Sequence, residues 1–150
     1  QVAFPDSLVI DIAGDGSILM NIQELSTAVQ YRLPIKIFII NNEYMGMVRQ
    51  WQELLYGGRY SESYTASLPD FVKLAESYGA AGLRAQKPDE VDDVIIEMLS
   101  NKRFTIADIV IDKTENCFPM IPSGAPHNEM LLGPEDEAEK PVSEDGMVLV

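Results

Sequence analysis

Leu8-Val9-Ile10-Asp11-Ile12-Ala13-Gly14-Asp15-Gly16-Ser17 and, after one intervening segment, Ile35-Lys36-Ile37-Phe38-Ile39-Ile40-Asn41-Asn42 decide how this chain folds. Each begins as a short apolar run rich in β-branched residues and ends in Gly, Asp or Asn, the pattern of a strand that stops at a turn. The first run, broken once by Asp11, reads as a buried strand over Leu8 to Ala13; the second, over Ile35 to Ile40, reads as a strand buried on both faces, as in parallel sheets. Between them Ile22, Leu25, Ala28 and Val29 recur at helical spacing, with Asn21 and Glu24 placed as a capping box and Pro34 as the stop. Strand, helix and strand in this order imply a right-handed crossover and two neighbouring parallel strands. Asp15 and Asn42 are therefore delivered to the C-terminal edge of the sheet, where ligands bind in open α/β folds.

The rest of the chain extends the same pattern. A turn at Glu43-Tyr44-Met45 leads into a helix running from about Gly46 to Leu55, ended by Gly57-Gly58. Residues 59–67 are polar and aromatic without a period and read as loop. Pro69-Asp70-Phe71 opens a helix with Phe71, Leu74 and Ala75 inward and Gly79 as its C′ residue. A strand over Ala81 to Ala85 follows, then a helix from Pro88 with Val91, Val94, Ile95, Met98 and Leu99 apolar, then a last strand from Phe104 to Ile111. The expected fold is an α/β domain, an open parallel sheet with helices on both faces. From Asn116 onward the chain holds seven acids against one base, Lys140, and five prolines, so residues 1–115 read as the folded domain and 116–150 as an acidic, Pro-rich arm, mobile beyond about Leu132.

Bulk properties narrow the function. One domain with a real core fits in 150 residues. A formal net charge of −13 argues against nucleic acid and against an anionic membrane surface. Cys117 is the single cysteine, so an intrachain disulfide is impossible and a reducing compartment such as the cytoplasm is expected. No apolar run approaches the roughly 18 residues of a membrane span. The opening residues carry neither a basic n-region nor a long apolar h-region. The lack of an initiator Met, with a core strand close behind, suggests a piece of something longer.

The chemistry-bearing residues suit a hard cation that holds a diphosphate. Asp15 offers an anionic oxygen and Asn42 a neutral one; Mg²⁺ wants about six oxygens, including ligand phosphates and water. Gly14 and Gly16 let a ligand approach the main chain, Ser17 can hydrogen-bond a phosphate, and backbone N–H groups at Gly46 and Met47 lie at a helix start. Asn41 reads as a structural turn residue. Trp51 reads either as core or, in its polar Arg49-Gln50-Trp51-Gln52 setting, as exposed. His127 reads as an ordinary surface residue and Cys117 as inert.

Gly14-Asp15-Gly16-Ser17 with Asn41-Asn42 resembles the thiamine-diphosphate motif. Met20-Asn21-Ile22-Gln23-Glu24-Leu25, Asn41 through Trp51, and Pro119-Met120-Ile121-Pro122-Ser123-Gly124-Ala125 sharpen the likeness to the C-terminal domain of the acetolactate synthase (acetohydroxyacid synthase) catalytic subunit. The resemblance implies that Asp15 and Asn42 ligate Mg²⁺ through side chains and Tyr44 through its carbonyl. It implies that Gly14, Gly16, Ser17, Asn42, Gly46 and Met47 line thiamine diphosphate, and that Val48, Trp51 and Ser123 border the substrate and inhibitor channel. The family reaction decarboxylates pyruvate and joins the remaining two-carbon unit to a second pyruvate or to 2-ketobutyrate, in branched-chain amino-acid synthesis. The catalytic glutamate that activates the cofactor, and FAD, belong to other domains of the full-length enzyme. No catalytic residue is therefore expected in this segment, which alone should be inactive. A homo-oligomer and a regulatory subunit are implied partners. The alternatives are another thiamine-diphosphate decarboxylase or oxidase, or a non-catalytic cofactor-binding module.

Overall fold

The computed structural model describes residues 1–134. They fall into two compact units, one of Gln1–Tyr44 with Thr65–Lys113 and the other of Met45–Tyr64 with the described residues from Thr114. The expectation for the tail beyond Leu132 lies largely outside the described residues, as do the acids Glu135, Asp136, Glu137, Glu139, Glu144 and Asp145.

The first unit carries the sheet. Its strands are β1 (Ile10–Gly14), β2 (Lys36–Asn41), β3 (Ala81–Ala85) and β4 (Thr105–Val110), in the order β1-β2-β4-β3 and parallel throughout. Its helices are α1 (Asp15–Leu19), α2 (Glu24–Gln30), α4 (Phe71–Ser77) and α5 (Val91–Ser100); α3 (Gly46–Leu55) belongs to the second unit. Alternation along the strands sorts the core to two faces. Ile37, Ile39 and Ile106 pack with Ile18, Leu25, Ala28, Phe71 and Ala75 of α1, α2 and α4. Ala107 and Ile109 pack with Met98, Val91 and Val94 of the α5 segment, alongside Phe38. Helices on both faces of a parallel sheet are the expected architecture.

Three local expectations change. The helix expected to start at Asn21 begins at Glu24, and a short helix not expected from the sequence, α1, with a turn through residues 20–23, precedes it. Glu24 N–H bonds the Asn21 carbonyl and Asn21 N–H the Ile18 carbonyl, so the backbone has already used the two donors that a capping box would serve. Asn21 caps nothing, and the N-cap residue of α2 is Gln23, without a side-chain cap. The strand expected to be buried, β1, is instead the sheet edge, with Ile12 72% exposed. Sequence periodicity reports what a strand can bury, not how many neighbours it has. Leu99 faces solvent, and Met98 is the α5 residue that fills the core.

Other elements follow their chemistry closely. Asp70 caps α4 by accepting from Val72 and Lys73 N–H, and Gly79 leaves the helix with φ +84°. Pro88 opens a short 3₁₀ turn before α5. Gly82 lets α4 lie directly on β3: a Cβ there would stand 2.7 Å from the Val72 carbonyl oxygen. Lys36, 2% exposed, stands at the N-terminal end of the interior strand β2 and donates to the carbonyls of Asn101 and Arg103 and to Thr105 Oγ1.

Candidate cofactor site

In the first unit, β1 and β2 end side by side. Gly14 pairs with Ile40, so Asp15 and the Asn41-Asn42 pair leave the sheet at neighbouring strand ends. Asp15 is the first residue of α1 and is 1% exposed. Burial pushes its carboxyl up from the ordinary range. Hydrogen bonds from the Thr65 hydroxyl and from the backbone of Asp15 and Gly16 oppose that, and the charge of Asp108 adds to the rise. The result is a carboxyl poor in solvent whose charged form a cation would stabilise. Asn42 Oδ1 accepts the Tyr44 N–H at 3.1 Å, leaving a second lone pair on that oxygen. Gly14 ends β1, Gly16 and Ser17 lie in the first turn of α1, and Tyr44 follows the end of β2.

Asn41 has the structural role expected of it, and a further one. Its Oδ1 accepts the Glu43 N–H, while its Nδ2 donates to Asp108 Oδ1 at 2.9 Å. Asp108, 2% exposed, is in turn bound at 2.9 Å by Arg84 Nε, and Arg84 reaches Asp70 with its other arm at 2.8 Å. Every buried charge in this network is paired. The group borders a cleft of about 340 Å³ at the C-terminal ends of β2, β3 and β4. Sequence reasoning did not single out Asp108, Arg84 or Thr65. An acid inside the apolar run Thr105–Val110 was the available signal for Asp108; Thr65 sat in a featureless loop.

In the second unit, α3 is inverted relative to an ordinary amphipathic helix. It buries Arg49 and Gln50 and exposes Met47, Val48 and Trp51, the last at 44%. Gln50 is clamped to the arm: its Oε1 accepts Cys117 N–H at 2.8 Å, and its Nε2 reaches the Cys117 carbonyl and the Met120 sulfur. Arg49 pairs with Glu53 and stacks over Tyr60. Gly46 and Met47 open α3, and Ser123 lies exposed in the turn Pro122–Ala125 of the arm that Gln50 holds. Trp51 is thus not core. His127 and Cys117 are exposed.

Among the described residues no cluster of three or more His, Cys, Asp or Glu gathers to hold a metal, and no helix is long and apolar enough to cross a membrane. One carboxylate with neutral oxygens is a donor set that needs a ligand's own oxygens to complete a Mg²⁺ shell.

Residues 1–109 match the family described as thiamine pyrophosphate enzyme, C-terminal TPP binding domain. The chain belongs to the thiamine pyrophosphate enzymes. Over 91% of its length this thiamine pyrophosphate domain is 48% identical to the acetolactate synthase large subunit of Haemophilus influenzae. It is 46% identical over 88% of its length to the acetolactate synthase isozyme 3 large subunit of Escherichia coli. It spans about a quarter of each relative, 24%. The solved thiamine diphosphate-dependent 4-hydroxybenzoylformate decarboxylase of Rhodococcus jostii RHA1 superposes with a TM-score of 0.69 at 31% identity. That match covers 75% of this chain and 21% of the other.

Proposed function

We propose that this thiamine pyrophosphate domain carries the metal- and diphosphate-holding part of an acetolactate synthase site. The observation that carries the reading is Asp15, a buried carboxylate poor in solvent at a sheet edge, beside the Asn42 turn. Asp15 and Asn42 would hold Mg²⁺ through side chains and Tyr44 through its carbonyl. Gly14, Gly16, Ser17, Gly46 and Met47 would line the cofactor, and Val48, Trp51 and Ser123 the approach of substrate. Thiamine diphosphate, when bound, supplies the means to decarboxylate a 2-keto acid and to join the remainder to a second one. The protein's own groups bind and orient it. None of the residues named here is assigned a catalytic proton transfer.

Pyruvate and 2-ketobutyrate as substrates, a homo-oligomeric enzyme with a regulatory subunit, and FAD in the full-length enzyme belong to the same proposal, carried by likeness to the acetolactate synthase large subunits. So does a division into a cofactor domain over 1–115 and an arm over 116–150. The test is calorimetric titration of thiamine diphosphate with and without Mg²⁺, on the chain and on Asp15→Ala. Heat that needs Mg²⁺ and vanishes in the variant is the expected result, because the carboxylate is the charged ligand of the set. Unchanged affinity in Asp15→Ala would overturn the assignment.

A further inference from the structure

We infer that Thr65 is a positioning residue that locks the Asp15 carboxylate in its metal-binding orientation; this rests on the metal reading above. Thr65 sits 50 residues from Asp15 in sequence, in a loop without secondary structure, yet its hydroxyl donates to Asp15 Oδ2 at 3.2 Å. The same residue's N–H donates to the Glu43 carbonyl at 2.9 Å. One residue therefore ties the start of α1, just after β1, to the turn after β2.

The second turn is itself held firmly. Glu43 adopts φ +58°, which is uncommon outside glycine. Hydrogen bonds from the Glu43 N–H to Asn41 Oδ1 and from the Tyr44 N–H to Asn42 Oδ1, and the Thr65 contact to its carbonyl, fix that conformation. Lys113 adds a charge pair to the Glu43 carboxylate. Asn42 and Tyr44 therefore leave the sheet in a defined geometry, and Thr65 holds the Asp15 side chain against that frame. The hydroxyl on Oδ2, together with the hydrogen bonds from the backbone of Asp15 and Gly16, restricts the side-chain rotamer, and a carboxylate's remaining lone pairs can face a cation. Such outer partners of a ligand typically change metal affinity by about 10- to 100-fold when removed.

The test uses Mn²⁺ as a paramagnetic substitute for Mg²⁺, titrated in the presence of thiamine diphosphate and followed by electron paramagnetic resonance. Thr65→Val keeps the shape and deletes the hydroxyl; it should weaken Mn²⁺ by about tenfold or more. Thr65→Ser keeps the hydroxyl and should return affinity toward that of the unchanged protein. Thr65→Ala provides the same deletion without the extra methyl, should valine perturb the loop. Thermal midpoints measured without metal should differ little among the variants that bind differently, which separates positioning from folding. If Asp15→Ala loses Mn²⁺ while Thr65→Val and Thr65→Ala bind as tightly as the unchanged chain, the Thr65 role fails and the metal reading stands. If Asp15→Ala binds Mn²⁺ as tightly as the unchanged chain, the metal reading fails and the Thr65 role with it.

Discussion

Asp70 shows how one residue serves two structural ends. Its carboxylate accepts from the Lys73 and Val72 N–H groups at the start of α4 and from Arg84. The Lys73 N–H is the largest cause holding it below the usual carboxylate range, and the Arg84 bond and charge and the Val72 N–H act in the same direction against a burial cost. A carboxyl whose folded-state pKa is depressed contributes stability above its unfolded pKa, and that contribution is lost as pH falls through the folded pKa. Asp70→Ala should therefore lower the thermal midpoint at neutral pH, and the gap to the unchanged chain should close on acidification below the normal Asp range. Parallel melting curves across pH check this; a gap constant down to strong acid would refute it. Trp51 is a contrasting residue. Being exposed on α3, Trp51→Leu should change stability by no more than about 0.5 kcal/mol, measured by denaturant unfolding. Under the proposed function it leaves metal binding intact and, in an intact enzyme, alters the choice of second 2-keto acid.

At the scale of elements, the close approach of α4 to β3 is the tightest constraint. The helix backbone at Val72 occupies the space that any side chain at Gly82 would need. Gly82→Ala should cost about 1 to 3 kcal/mol, because the clash is with main chain that cannot rotate away. Urea unfolding measures it, and a neutral result would mean that α4 can slide on the sheet. The helices also show why the sequence was legible in some places and not in others. Asp70, Gly79 and Pro88 mark their helix ends through local backbone chemistry, so the sequence positions were sufficient. Asn21 and Glu24 had the spacing of a capping box, but the backbone turn through residues 20–23 had already consumed the donors. Spacing alone cannot report that competition.

For the molecule as a whole, the sheet sets the candidate site and a structural tie at opposite ends of its strands. Its C-terminal edge carries Asp15, Asn41 and the paired Asp108, while Lys36 at the N-terminal edge joins β2 to the segment entering β4. Lys36→Met would leave the carbonyls of Asn101 and Arg103 without their charged donor. It should cost about 2 kcal/mol in global unfolding, while Mg²⁺-dependent cofactor affinity of the folded protein stays unchanged. Loss of that affinity at full folding would show that the two edges are coupled.

The sequence by itself determined the order of the strands and of the longer helices, the strand ends at which Asp15 and Asn42 sit, and the residues that place the chain among thiamine pyrophosphate enzymes. Those features rest on periodicity, turn residues and short motifs, all of which act over a few neighbouring positions. Only the tertiary structure decided that β1 is an exposed edge, that Arg84 neutralises Asp108 and Asn41 hydrogen-bonds it, that Gln50 holds the arm at Cys117, and that Thr65 reaches Asp15. Those contacts join residues far apart in the chain. They depend on the strand order β1-β2-β4-β3 and on where loops return to the sheet, which no local pattern encodes.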